Sequence, residues 1–210
     1  MRLDPAGVPF IVGALVLGVI AGAAAAGVAA IPFVVLAAFF VFFFRDPERL
    51  PRAGTDEDAV LAPADGRVLV AGQASAEAAP PGEWQQISIF LSPMDVHVNR
   101  VPVSGRVTRV SFTRGRFLPA YHHDAAAANE RSEIWIDHRG QTVVARQIVG
   151  MLARRVVCRL ESGAEVRAGD RFGIMKFGSR MDVFVPPTAT LAVSVGQTVR
   201  GGQTVIAVLH

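Results

Sequence analysis

The chain is poor in the residues that would tie it down or stack bases. It has one cysteine, one tyrosine and two tryptophans, and its only lysine is Lys176. A single cysteine, Cys158, excludes an intrachain disulfide and suits a reducing compartment. Within "ARRVVCRL" it reads as a small buried hydrophobe. The net charge is +3 and the pI near 9.9. The arginines, however, are scattered, with no basic stripe and no interleaved aromatics, which argues against a nucleic-acid partner. Mild basicity fits an anionic lipid surface instead. No His/Cys/Asp cluster has metal-ligand spacing. His122 and His123 are adjacent and would face opposite ways in a strand, so no metal is expected.

The longest absence is of charge. Residues 8–44, "VPFIVGALVLGVIAGAAAAGVAAIPFVVLAAFFVFFF", carry none, and the run is too long for the apolar core of a signal peptide. One span needs about 20 apolar residues. The segment therefore reads as a transmembrane helical hairpin with arms near residues 8–21 and 31–44, broken at Gly27 and Pro32. A single long tilted helix and a shallow re-entrant hairpin are the alternatives. Arg2 precedes the run, and Arg45, Arg49 and Arg52 follow it. Positive flanks at both ends of a hairpin put those ends in the cytoplasm. The expected division is an anchor over residues 1–46 and a catalytic domain over residues 47–210.

After Arg45 the composition changes. Short β-branched runs recur between glycine-bearing turns every eight to twelve positions, the mark of an antiparallel β-domain. The expected fold is mainly β, a sandwich or barrel-like domain. "IDHRGQTV" looks like a hairpin around Arg139-Gly140, and "AYHHDAAAANER" like a short helix or a loop. Turns such as "SGAEVRAGDRFG" and "VGQTVRGGQTV" resemble those of biotinyl and lipoyl carrier domains, which carry a modified lysine at a hairpin tip. "IMKF", with Lys176, is thus one candidate for the chemistry. Gly201-Gly202 in "VRGGQ" reads as a turn and not a phosphate loop, since no helix follows.

The other candidate is the next pair, Gly178-Ser179. A serine hydroxyl in a constrained turn can attack the preceding carbonyl, and a glycine there permits the close approach. The resulting ester can eliminate its carboxylate to leave dehydroalanine, which hydrolyses to a pyruvoyl group and ammonia. Such a carbonyl condenses with amines and acts as an electron sink. In "MDVHVNR" a strand's two-residue period would put Asp95, His97 and Asn99 on one polar face and Val96 and Val98 on the other. His97 there could act as a general acid or base, or be merely an exposed strand residue.

"LAPADGRV", "LSPMDVHVNRVPVSGRV", "NER" and "KFGSRMDVFVP", in that order, resemble the short proteobacterial and archaeal-type form of phosphatidylserine decarboxylase over nearly the whole soluble part. The resemblance implies self-cleavage between Gly178 and Ser179 into a large β chain and a small α chain. These would stay together as a heterodimer, with Ser179 becoming the pyruvoyl group that engages the substrate. It also implies roles for His97 at the active site and for Asp65 of "PADG" in self-processing. The implied reaction turns phosphatidylserine into phosphatidylethanolamine at the inner membrane. One departure is Arg100, where many longer members have a second histidine. Arg114, Arg116, Arg131 and Arg180 are candidates for the lipid phosphate, because a guanidinium fork matches phosphate oxygens. The rivals are a membrane-tethered carrier modified on Lys176 and a β-domain without chemistry. A nearer variant is the same reaction on an ether-linked lipid.

Overall fold

The computed structural model describes residues 2–24, 27–122, 124–151, 156–176 and 178–210. His123 and Phe177, from the motifs above, lie outside the described residues. The chain forms two compact units, Met1–Glu48 and Arg49–His210.

The first unit is a helical hairpin. Helix α1 spans Val8–Ala24 and α2 spans Ile31–Phe43, joined through Gly27 at φ 81°. Asp4 caps the entry to α1, its Oδ1 accepting from the Ala6 amide at 2.9 Å. Pro32 sits in the first turn of α2, where its missing N–H costs nothing. The helices run antiparallel, because Phe10 of α1 packs 5.5 Å from Phe40 and 5.4 Å from Phe44. Gly18 and Gly22 let them approach: a Cβ on Gly18 would lie 3.2 Å from that of Phe33. Two short strands, β1 (Arg2–Leu3) and β2 (Arg45–Asp46), pair across the open end. Both helices remain apolar on their outward faces, with Val12, Val19, Val34 and Val35 exposed. Pro5–Ala24 is long and apolar enough to cross a membrane, whereas Val28–Phe43 is shorter. Helices apolar all round suit lipid rather than water, and this one points to membrane association.

The second unit is mainly β. In chain order its strands are β3 (Ala59–Leu61), β4 (Gly66–Gln73), β5 (Gln85–Leu91), β6 (Val98–Arg100), β7 (Gly105–Thr113), β8 (Arg131–His138), β9 (Gln141–Ile148), β10 (Val156–Cys158), β11 (Glu165–Val166), β12 (Arg171–Met175), β13 (Ser179–Val185), β14 (Thr190–Leu191), β15 (Thr198–Val199) and β16 (Val205–Val208). A single short helix, α3 (Ala125–Ala128), takes up the alanine run. An eight-stranded antiparallel sheet has the order β11-β7-β8-β9-β13-β5-β4-β15, and two three-stranded sheets, β10-β12-β6 and β14-β16-β3, complete the unit. The β8–β9 hairpin turns at Arg139 (φ 53°) and Gly140 (φ 85°), two consecutive left-handed residues that match the twist of the flanking strands.

The core lies on one face of the large sheet, where β5, β8, β9 and β13 contribute Ile87, Ile89, Leu91, Ile134, Ile136, Val143, Ala145, Met181, Val183 and Val185. Strand β13 sits between β9 and β5 and is buried on both faces over its whole length.

Its second face is polar. Arg180 Nε donates to Asp182 Oδ1 at 2.6 Å, Arg180 Nη2 to Ser88 Oγ at 2.9 Å, and Gln86 Nε2 to Asp182 Oδ2 at 3.1 Å. Asp182→Ala would strand the buried Arg180 charge, and removing one partner of such a pair costs about 3–5 kcal/mol. Denaturant unfolding in detergent checks this, and a loss under about 1 kcal/mol would mean that the pair behaves like an exposed one.

Candidate active site

Ser179 is the first residue of β13, and its side chain points to the core face shared by Met181 and Leu91. It is 0% exposed, and its Oγ has no hydrogen-bond partner among the described residues. A buried hydroxyl left without a partner costs about 1–3 kcal/mol, so it calls for an explanation in chemistry. Just before it, Gly178 has φ 69°, a left-handed conformation open to glycine and strained for other residues. The Gly178 carbonyl is also crowded. A Cβ added at Gly150 would lie 2.0 Å from its oxygen, so only glycine at position 150 allows this approach. Gly150→Ala must therefore displace the carbonyl that Ser179 would attack. A misplacement of about 1 Å at a reacting centre costs on the order of a hundredfold. The expected outcome is uncut precursor accumulating in a pulse-chase gel; cleavage at the normal rate would mean that the contact is irrelevant.

His97 is tied through its backbone to the strand that leads to Ser179. The Met175 amide donates to the His97 carbonyl at 3.2 Å, and Met175 is four residues before Ser179. Two residues beyond His97, Asn99 Oδ1 accepts from Gln147 Nε2 at 2.7 Å, and Gln147 is the Cα partner of Met181. Asn99 thus meets the sheet face that carries Ser179 and Met181, with His97 two residues before it in the chain. His97 Nδ1 lies 3.0 Å from the Asp95 carbonyl. A carbonyl only accepts, so Nδ1 carries the hydrogen and the basic lone pair is on Nε2.

The expected alternation in "MDVHVNR" is not what the fold builds. Only Val98–Arg100 is strand, and residues 96–100 are all buried. Asp95 lies in a turn, its Oδ2 accepting from Ser92 N and Ser92 Oγ, both at 2.8 Å. The reason is that β6 pairs with β12 and faces the large sheet, so neither of its sides is wet. His97 is accordingly not an exposed strand residue.

Asp65 is held elsewhere. Its carboxylate forms a forked ion pair with Arg49 (Nη2 to Oδ2 2.7 Å) and accepts the Gly201 amide at 2.8 Å. Arg100 is buried as well, its Nη1 donating to Gly169 O at 2.9 Å. Arg114 and Arg116 are exposed. Arg131 is half-buried with Nη1 on Ala127 O at 2.8 Å; burial first, then the nearby Arg146 charge, pushes its pKa down. Arg180 faces away from Ser179 and is bound by Asp182, so it is a structural residue here and not a phosphate ligand. An arginine next to the serine in sequence is on the opposite face of the strand.

Three buried amides near the site were not among the candidate site residues. Asn129 of "NER" is fully buried; its Oδ1 accepts from Leu118 N at 2.9 Å, and its Nδ2 donates to Leu118 O and Val149 O, both at 2.8 Å. It thereby pins the segment before Tyr121 against the end of β9, beside Gly150. Asn99 and Gln147 form the other buried contact, across 48 positions of sequence. A cleft of about 170 Å³ opens beside Gly178, lined by Phe90, Pro93, Pro119, Ala120, Tyr121 and Met151. A larger hollow, about 360 Å³, is lined by Glu57, Ser104, Gly105, His138 and Arg139 and does not include Gly178 or Ser179 among its lining residues.

Lys176 lies half-buried in the link between β12 and β13 and not at the tip of an exposed hairpin, which does not support the carrier alternative. The family model for phosphatidylserine decarboxylase matches residues 36–207. Among curated proteins, the phosphatidylserine decarboxylase proenzyme of Salinibacter ruber is 47% identical over 170 residues, 80% of this chain and 75% of that one. That of Pelodictyon phaeoclathratiforme is 44% identical over 169 residues, 80% and 78%. That of Desulfotalea psychrophila is 37% identical over 201 residues, 95% and 93%.

Proposed function

The chain belongs to the phosphatidylserine decarboxylase family, and from that premise we propose that it removes CO2 from phosphatidylserine with a pyruvoyl group made from its own Ser179. The observation that carries this reading is the buried Ser179 hydroxyl, without a partner among the described residues, beside a left-handed Gly178. The hydroxyl adds to the Gly178 carbonyl, the C–N bond breaks, and an ester remains. Loss of the Cα proton expels the Gly178 carboxylate and leaves dehydroalanine, and one water then releases ammonia and leaves the ketone. The products are a large chain ending at Gly178 and a small one beginning at the modified residue 179, held together by the β13 pairings with β5 and β9.

The residues present fit that group: a glycine that frees the backbone, a buried hydroxyl without a hydrogen-bond partner among the described residues, and a buried imidazole whose backbone carbonyl accepts from Met175, four residues before Ser179. When formed, the pyruvoyl carbonyl supplies an electrophile for the substrate amine and a sink for the electrons left by CO2. His97, once Nε2 has taken up a proton from solvent, delivers it to the carbon that has lost its carboxyl, with Nδ1 fixed on Asp95 O. The same nitrogen deprotonates Ser179 during maturation, because the position of a second histidine holds Arg100, whose guanidinium cannot be deprotonated. Asp65 acts indirectly, holding the turn at Gly201 with Arg49. Arg114 and Arg116 are the exposed cations available to the phosphate. Residues 1–46 anchor the enzyme in the cell membrane, and the catalytic domain of residues 47–210 faces the cytoplasm, where the positive flanks Arg2, Arg45, Arg49 and Arg52 lie.

The test is direct. Intact mass of the purified protein should give two chains split at 178/179, the small one resistant to N-terminal sequencing. The same preparation should release CO2 from phosphatidylserine. An uncut chain that does so would overturn the pyruvoyl assignment while leaving the activity standing.

A further inference from the structure

In the catalytic unit, several large exposed apolar side chains belong to the segments that line one cleft. Met94 is 64% exposed, Tyr121 66% and Met151 62%, with Phe117 beside them in sequence to Tyr121. Tyr121 and Met151 line the cleft whose floor includes Gly178, and Met94 follows its wall residue Pro93. Asn129 fixes the segment that carries Phe117 and Tyr121. Arg114 and Arg116, both exposed, open that same segment. Apolar tips next to arginines are the composition of a surface that meets an anionic bilayer: the guanidinium groups lie at head-group level and the apolar ends below it.

Size decides against a cleft that swallows its ligand. Pockets that enclose even drug-sized molecules measure about 300–1,000 Å³, and this one is about 170 Å³. It has room for a head group and not for two acyl chains. With a phospholipid substrate, which rests on the function proposed above, the tails must stay in the membrane while the head group reaches residue 179. The rim of the cleft must then touch the bilayer.

We propose that Met94, Phe117, Tyr121 and Met151, with Arg114 and Arg116, form a membrane-docking face of the catalytic unit, specific for anionic bilayers and additional to the helices of residues 1–46. Docking brings the mouth of the Gly178 cleft to the head-group layer, so substrate enters sideways from the membrane.

The experiment uses the full chain in vesicles of phosphatidylcholine with phosphatidylglycerol. In a Cys158→Ser background, a fluorescent probe is placed at Met151→Cys and, as a control, at Val195→Cys, an equally exposed position (65%). The expected result is that lipid-borne quenchers reach the probe at 151 and not at 195. Arg114→Glu with Arg116→Glu, or vesicles of phosphatidylcholine alone, should abolish that quenching. Equal quenching at both positions, or none at 151, overturns the proposal. A kinetic arm separates docking from chemistry. Met94→Glu with Phe117→Glu should lower kcat/KM on bilayer phosphatidylserine about tenfold and leave turnover of monomeric short-chain phosphatidylserine unchanged. Equal losses on both substrates overturn the proposal. Wild-type protein inactive on both would sink the decarboxylase reading instead, while the fluorescence arm still decides the docking.

Discussion

Ser179→Ala is expected to leave one uncut chain, wholly inactive and no less stable than the parent. The first two effects share a cause, since without the hydroxyl there is neither ester nor pyruvoyl group. The third follows from the geometry. Ser179 Oγ is buried and makes no hydrogen bond among the described residues, so its removal breaks nothing and relieves a desolvated polar atom, worth about 1–3 kcal/mol. Most substitutions in a fully buried strand destabilise; this one should raise the unfolding midpoint or leave it unmoved. A denaturing gel, a CO2-release assay and a denaturant melt check the three parts. A cut Ser179→Ala chain would place the scissile bond elsewhere, and a marked loss of stability would mean that the hydroxyl has a structural partner.

The second large effect is expected at His97. Loss of a positioned general acid or base typically costs 10²–10⁴-fold, and His97→Ala should fall in that range in kcat for protein that has matured. Because the same imidazole is assigned to both steps, maturation of this variant should slow as well, visible as precursor persisting in a pulse-chase gel. Free imidazole should recover part of both, since the cavity left in the variant matches it. A merely structural role predicts no rescue. Normal turnover by His97→Gln would remove the residue from the mechanism.

Much was legible along the chain because the determining physics is local. The uncharged stretch could only be apolar helix, and Gly27 and Pro32 marked its break, since left-handed φ and a missing N–H are properties of single residues. Arg139-Gly140 was legible as a hairpin turn for the same kind of reason. Gly178-Ser179 stood out as a candidate because the chemistry proposed for it needs only two neighbours.

What failed to read was set by pairing partners far away in the chain. The two-residue period at "MDVHVNR" assumed one wet face, and β6 has none, because β12 and the large sheet enclose it. Arg180 looked like a phosphate ligand by its place next to Ser179. Its direction depended on Ser88 and Asp182 meeting it across the sheet. Asn129, Gly150 and the Asn99–Gln147 contact bring together residues 20, 28 and 48 positions from their partners, distances at which sequence spacing carries no geometric information.

By itself, then, the sequence determined the apolar hairpin, the β-rich class and the glycine-serine pair on which the proposed chemistry rests, each written in adjacent residues. Only the tertiary structure decided that Ser179 lies on the core face of β13, that His97 is buried, and that the cleft beside Gly178 has an apolar lining. Those outcomes follow from strand register, and register is settled when distant strands bury their faces together.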